Sequence, residues 1–73
     1  MFYSKKEAVI EHLREVSLQG LPFYDVYYRY TEELDPKTQL ARVQGEMVYS
    51  GIRVGDRVLV EKIAQTVMRI EKL

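Results

Sequence analysis

The chain has 73 residues, with eleven Lys and Arg against eleven Asp and Glu, a formal net charge of zero and no cysteine. A chain of this length has room for one core, so we expect a single small α+β domain over residues 1–73. Zero net charge excludes a strong overall attraction to nucleic acid or to an anionic membrane, and the lack of cysteine excludes disulfides, thiolate nucleophiles and cysteine-ligated metal.

Residues 5–18 are predicted to form an amphipathic helix. Ser4 and Glu7 fit the S-x-x-E capping box that begins many helices. The apolar stripe then repeats at i, i+4 and i+7, at positions Val9, Leu13 and Val16. Gly20, with Leu21 and Pro22 after it, supplies the expected end of the helix.

From Phe23 to Thr31 the side chains alternate with a period of two, and the stretch is rich in tyrosine, which predicts a strand. Residues 35–38, Asp-Pro-Lys-Thr, suit a type I turn, and a second alternating run extends from Gln39 to Tyr49. We therefore expect a β-hairpin in which Leu34 pairs with Gln39.

In that register the two faces of the hairpin differ. One face is almost wholly apolar and should be buried: Tyr24, Val26, Tyr28 and Tyr30 opposite Tyr49, Met47, Gly45 and Val43. The other face can stay in water: Asp25, Tyr27, Arg29 and Thr31 opposite Val48, Glu46, Gln44 and Arg42.

The last third of the chain fits two structures. Asp56 can cap a helix over residues 57–72, on which half of the circumference is apolar: Leu59, Val60, Ile63, Ala64, Val67, Met68 and Ile70. Alternatively, residues 52–60 lead into a β-branched strand and a further strand begins at Thr66, as in small β-barrels. The helix is favoured because no turn residue separates Lys62 from Gln65.

The favoured architecture is therefore a helix–β-hairpin–helix (αββα) domain of the α+β class, with both helices on one face of the hairpin. The alternative is an N-terminal helix followed by a small antiparallel sheet or an SH3-like barrel. No membrane span or export signal is present in the sequence, and we expect a cytoplasmic protein with no membrane association.

No group of residues predicts an enzyme, a cofactor or a metal site. His12 stands alone at the margin of the first predicted helix, and Asp25 with Glu46 forms a carboxylate pair better explained as a solvated surface. The glycines at positions 51 and 55 lack the lysine of a phosphate-binding loop. The prediction is a protein without catalytic, cofactor-binding or metal-binding residues.

The leading functional hypothesis is a protein-interaction or assembly module that forms a homodimer. The apolar arc of the last predicted helix exceeds what one hairpin can cover, which predicts contacts through Leu59, Ile63, Val67 and Ile70.

The alternative hypothesis, which we favour less, is a small nucleic-acid-binding module. It would use the exposed face of the hairpin, where an aromatic ring and two cations come together in Tyr27, Arg29 and Arg42.

Overall fold

The computed structural model describes residues 2–73, which form one five-stranded antiparallel sheet. The strands are β1 (Tyr3–Leu18), β2 (Leu21–Tyr30), β3 (Gln39–Gln44), β4 (Arg57–Ile63) and β5 (Thr66–Lys72), and they lie in the order β3-β2-β1-β4-β5. A 3-10 turn, Gly45–Met47, follows β3. Residues 2–73 contain no α-helix, and hence none long and apolar enough to cross a bilayer.

The predicted α+β class is wrong, and the first error concerns residues 5–18, which belong to the long strand β1. Ala8 and Ile10 point into the core, and the register with β2 then shifts between Ile10 and His12, which marks a β-bulge. Leu13 packs against the core three residues after Ile10, instead of two or four. This odd spacing resembles a helical repeat, so the bulge accounts for the wrong prediction.

Gly20 ends β1 in a tight hairpin turn instead of ending a helix. Leu18 pairs with Leu21, which leaves Gln19 and Gly20 as a two-residue loop. Both loop residues have positive φ, 53° and 79°, as a type I′ turn requires. The tyrosine-rich strand β2 therefore pairs first with β1.

The β2–β3 hairpin exists, but its predicted register is wrong. Tyr28 pairs with Gln39 instead of Gly45, a shift of six residues, because residues 31–38 form a loop and not a tight turn. An even shift keeps each side chain on its predicted face, since side chains alternate with period two. Tyr28 and Tyr30 are accordingly buried, as predicted.

Residues 57–72 form the hairpin β4–β5, so the predicted helix is wrong here too and the competing strand interpretation is right for this segment. Ile63 pairs with Thr66, and the two-residue turn between them is Ala64-Gln65. Ala64 adopts φ 54°, a conformation usually taken by glycine or asparagine. The sequence therefore contains no ordinary turn residue at the place where the chain reverses.

The sheet curls until its two edges, β3 and β5, approach each other. At one end a parallel bridge joins Ile70 of β5 to Val48, which follows the 3-10 turn after β3. Other strands, not helices, cover the predicted tyrosine face. The core inside the curl consists of Ala8, Ile10, Val26, Tyr28, Tyr30, Ala41, Val43, Ile52, Val58, Val60 and Ile70.

The segment between β3 and β4 is held by a polar cluster around Asp56. The Tyr49 hydroxyl donates to Asp56 Oδ2, and the Arg53 backbone N–H donates to the same oxygen at 3.1 Å. Burial, and then the hydrogen bond to Asp56, raises the pKa of Tyr49 above its ordinary value. The cluster fixes the loop against the closed end of the sheet.

Candidate functional site

One outer surface of the sheet combines aromatic rings with arginines. It is formed by the second half of β1 with β2 and β3, and cross-strand pairing arranges it in rows. We call it the aromatic–arginine face, and its residues are Glu11, His12, Arg14, Val16, Phe23, Asp25, Tyr27, Arg29, Leu40, Arg42 and Gln44.

The central row of this face is an ion-pair triad. Asp25 on β2 pairs in register with Arg14 on β1 and with Arg42 on β3. Arg42 donates from Nε to Oδ1 at 2.7 Å and from Nη2 to Oδ2 at 3.0 Å, and Arg14 Nη2 donates to Oδ2 at 3.0 Å. Asp25 is only 3% exposed, whereas both arginines remain largely open to solvent.

The triad fixes the charge of Asp25. The hydrogen bonds from Arg42 lower the pKa of Asp25 to about 2, burial acts in the opposite direction, and Arg14 adds to the lowering. The carboxylate is therefore ionised at neutral pH and holds two guanidinium groups side by side. Each guanidinium has five N–H donors, so both keep donors for another anion.

Aromatic rings lie on either side of the triad. Tyr27 pairs with His12 across the strands, and their ring centroids are 5.2 Å apart with the planes tilted by 57°. Phe23 lies two residues beyond Asp25 on the same strand, so it occupies the same face. Phe23 and Tyr27 are each half-buried, which leaves part of each ring accessible for stacking.

Arg29 is held at the far end of the same face. Its Nε donates to Glu11 Oε2 at 3.1 Å, and the Thr38 hydroxyl donates to Glu11 Oε1 at 2.6 Å. Glu11 lies at the bulge of β1, so the bulge directs this carboxylate across the sheet. Arg29 is thus an ion-paired cation beside Tyr27.

The opposite outer surface, formed by the first half of β1 with β4 and β5, carries an aromatic ring, Tyr3, whose hydroxyl donates to Glu61 Oε2 at 2.6 Å. Its charges pair off: Lys5 with Glu71 at 2.9 Å, Arg69 with Glu71 at 3.8 Å, and Arg57 with Glu7. Such a lattice of exposed pairs contributes little beyond solubility.

The structure brings together all three residues of the alternative sequence hypothesis, since Tyr27, Arg29 and Arg42 share the aromatic–arginine face. Sequence reasoning missed Arg14, which the predicted helix placed on another element, and it missed Phe23 as an outward ring. The alternation in Phe23, Asp25 and Tyr27 was the available signal for one common face.

The four residues of the leading hypothesis lie on β4 and β5 and do not form one surface. Ile70 is buried in the core at 1% exposure, Leu59 and Val67 are half-buried, and Ile63 is exposed. The helical arc from which a homodimer was inferred does not exist. The homodimer itself stays a prediction.

The two carboxylates that the sequence placed together, Asp25 and Glu46, do not form a pair in the structure. Asp25 is engaged by two arginines, while Glu46 lies in the 3-10 turn beyond the end of β3. Within residues 2–73 there is no cluster of three His, Asp or Glu side chains suited to a metal ion.

We find no protein-family model, curated protein or solved structure that matches this chain.

Proposed function

We propose that this domain binds single-stranded nucleic acid on the aromatic–arginine face. The observation that carries the proposal is the arrangement on three adjacent strands of two accessible aromatic positions with a pair of guanidinium groups between them. Proteins that bind single strands combine stacking rings with cations along the phosphate backbone in this way.

The spacing of the rings suits separate bases. Phe23 and Tyr27 are four residues apart on one strand, which corresponds to about 13 Å along the strand axis. The Arg14 and Arg42 guanidiniums occupy the row between them. A base stacked on each ring therefore leaves the connecting phosphates near the two arginines.

The charges of the face predict modest affinity. Arg14, Arg29 and Arg42 stand against Glu11 and Asp25, which leaves a net charge of one. Two phosphate contacts give a slope of about −1.4 in log affinity against log salt concentration, since each contact with a single strand contributes roughly −0.7. Stacking, worth about 1–3 kcal/mol per base, then supplies much of the binding energy.

The topology also supports the proposal. The order β3-β2-β1-β4 is that of a Greek key, and a fifth strand that nearly closes the sheet gives a five-stranded, partly open barrel. The OB fold has this architecture, and it binds oligonucleotides or oligosaccharides on the face of its second and third strands. This support is an analogy of fold and does not by itself assign a function.

The proposal is tested by fluorescence anisotropy with labelled oligothymidylate at low and moderate salt. We expect weak, salt-dependent binding, which the double variant Arg14→Gln/Arg42→Gln should weaken and make nearly independent of salt. The matched control, Lys5→Gln/Arg69→Gln, removes two cations from the opposite surface and should leave binding nearly unchanged. Equal losses in the two variants, or no binding by the unaltered protein, would contradict the proposal.

A second candidate function is self-association through the sheet edges. Strands β3 and β5 each pair with one neighbour, so most backbone groups on the sides where these edges approach each other have no strand partner, and Leu40 on β3 is exposed. Light scattering at increasing concentration tests it, since a constant monomeric mass would exclude a homodimer. For both candidates we propose a cytoplasmic location, which cell fractionation would check.

A further inference from the structure

A cleft of about 440 Å³ opens between the edge of β3 and the β4–β5 turn. Only two charged residues line it, Arg42 and Lys62, and both are cations. Its other polar side chains are neutral hydrogen-bonding groups: Tyr28, Gln39, Gln65 and Thr66. The cleft is therefore suited to an anion.

Lys62 differs from most cations of the sheet surface. Lys5, Arg57 and Arg69 each form an ion pair with a glutamate, whereas Lys62 forms none within residues 2–73. The adjoining edge of β3 pairs only with β2, so every second residue directs its backbone N–H and C=O toward the cleft side. An anion here would meet one unpaired ammonium group and additional N–H donors.

The cleft is continuous with the aromatic–arginine face. Leu40 and Arg42 line the cleft, and the same two residues lie beside Tyr27 and Asp25 on the outer side of the sheet. A chain that crosses the row His12–Tyr27–Leu40 would pass over the edge of β3 and reach Lys62.

We propose that this cleft binds a backbone phosphate of the strand held on the aromatic–arginine face, with Lys62 as its principal ligand and Arg42 shared between the two sites. This inference rests on the proposed function and adds a direction to it. The oligonucleotide follows β2 from Phe23 to Tyr27, turns over Leu40 at the edge of β3 and continues to the β4–β5 turn. A short oligonucleotide fills the aromatic–arginine face alone, and a longer one also occupies the cleft.

The test compares Lys62→Gln with the unaltered protein on a trinucleotide, which has the two phosphates needed to span Phe23 and Tyr27, and on an octanucleotide of thymidine. Lys5→Gln, which removes one cation from the opposite surface, is the matched control. For the octanucleotide, the slope of log affinity against log salt concentration should be about 0.7 less steep in Lys62→Gln than in the unaltered protein. This difference is the contribution of one phosphate contact. For the trinucleotide, both variants should behave like the unaltered protein.

A direct readout comes from the NMR signal of the Lys62 side chain, which should shift with the octanucleotide and not with the trinucleotide. Melting temperatures show whether each variant is folded, and the Lys62 shift is measured on the unaltered protein in any case. An equal effect of Lys62→Gln on both lengths, or no greater effect than that of Lys5→Gln, would overturn the cleft assignment and leave the proposed function standing.

Two further outcomes separate the alternatives. If the unaltered protein binds neither oligonucleotide, the proposed function fails and the cleft inference fails with it. If polyglutamate of matched charge shifts the Lys62 signal as strongly as the octanucleotide does, the cleft is a general anion or peptide site, which also overturns the inference.

Discussion

Asp25 and Arg42 face each other across β2 and β3, and the guanidinium donates to both carboxylate oxygens, at 2.7 and 3.0 Å. Two parallel hydrogen bonds of this kind fix the plane of the arginine as well as its position. Because Arg14 approaches the same carboxylate from the other side, a single acidic residue orders two cations on the outer surface of the sheet.

Replacing this carboxylate should change stability and binding in opposite directions. Asp25→Asn removes charge-assisted bonds to two arginines and should lower the free energy of unfolding by about 1–2 kcal/mol, a modest value because both arginines are exposed to solvent. The same variant frees two guanidiniums and should tighten binding to oligothymidylate. Urea denaturation and anisotropy measure the two effects, and weaker binding by a folded variant would contradict the second.

The free energy of unfolding should depend on pH through Asp25. Folding lowers the pKa of Asp25 from 3.8 to about 2, so the unfolded chain binds this proton more tightly. The contribution of Asp25 is therefore fully present above pH ~4 and is lost as the pH falls to about 2. Melting temperatures of the unaltered protein and of Asp25→Asn should converge over that interval. A constant difference between them would show that Asp25 has an ordinary pKa in the folded state.

The ring of Tyr27 should contribute to binding by stacking. Tyr27→Leu keeps an apolar side chain on the face but removes the ring, and should weaken oligothymidylate binding by about tenfold, within the range measured for one stacked base. Tyr3→Leu, on the opposite surface, is the control and should have little effect. Similar losses in both variants would argue against a stacking site.

The hydroxyl of Tyr49 should stabilise the loop before β4. Tyr49→Phe leaves the ring in place and removes its hydrogen bond to Asp56. We expect a loss of about 1 kcal/mol in unfolding free energy, typical of one hydrogen bond. Amide hydrogen exchange should show the faster opening in residues 48–56. An unchanged midpoint in urea would mean that water replaces the bond without cost.

One substitution in the β4–β5 turn should raise the free energy of unfolding. Ala64 has φ 54°, which glycine adopts without a steric penalty, so Ala64→Gly should raise the unfolding free energy by up to about 1 kcal/mol. Ala64→Val places a β-branched side chain in the same conformation and should lower it. Thermal denaturation of the pair checks the sign, and a more stable valine variant would show that the turn has another conformation.

The strand content of residues 23–30 and the burial of Tyr28 and Tyr30 could be predicted from alternation alone. The long strand β1 could not, because its bulge replaces the spacing of two with a spacing of three between Ile10 and Leu13. A bulge is stabilised by its neighbours in the sheet and leaves no local signature. The same holds for the Ala64-Gln65 turn, which forms because β4 and β5 bury Val58, Val60 and Ile70 against the core.

The residues of the candidate site were likewise predictable from the sequence only in part. Tyr27, Arg29 and Arg42 were predicted to share a face, and they do so despite the wrong register. A shift by an even number of residues leaves each side chain on the same face of the sheet. Arg14 could not be added, since its place beside Asp25 depends on β1 being a strand paired with β2.

Strand β1 pairs along its second half with β2, only a few residues away in sequence, and along its first half with β4, some fifty residues later. Local pairings form quickly and distant ones slowly. During synthesis the hairpin β1–β2 can assemble early, while Tyr3–Val9 must wait for Arg57–Ile63 to emerge. Until then, residues 3–7 have no strand partner and residues 8 and 9 pair on one side only, so any delay in translation before β4 would prolong the exposure of this edge to aggregation.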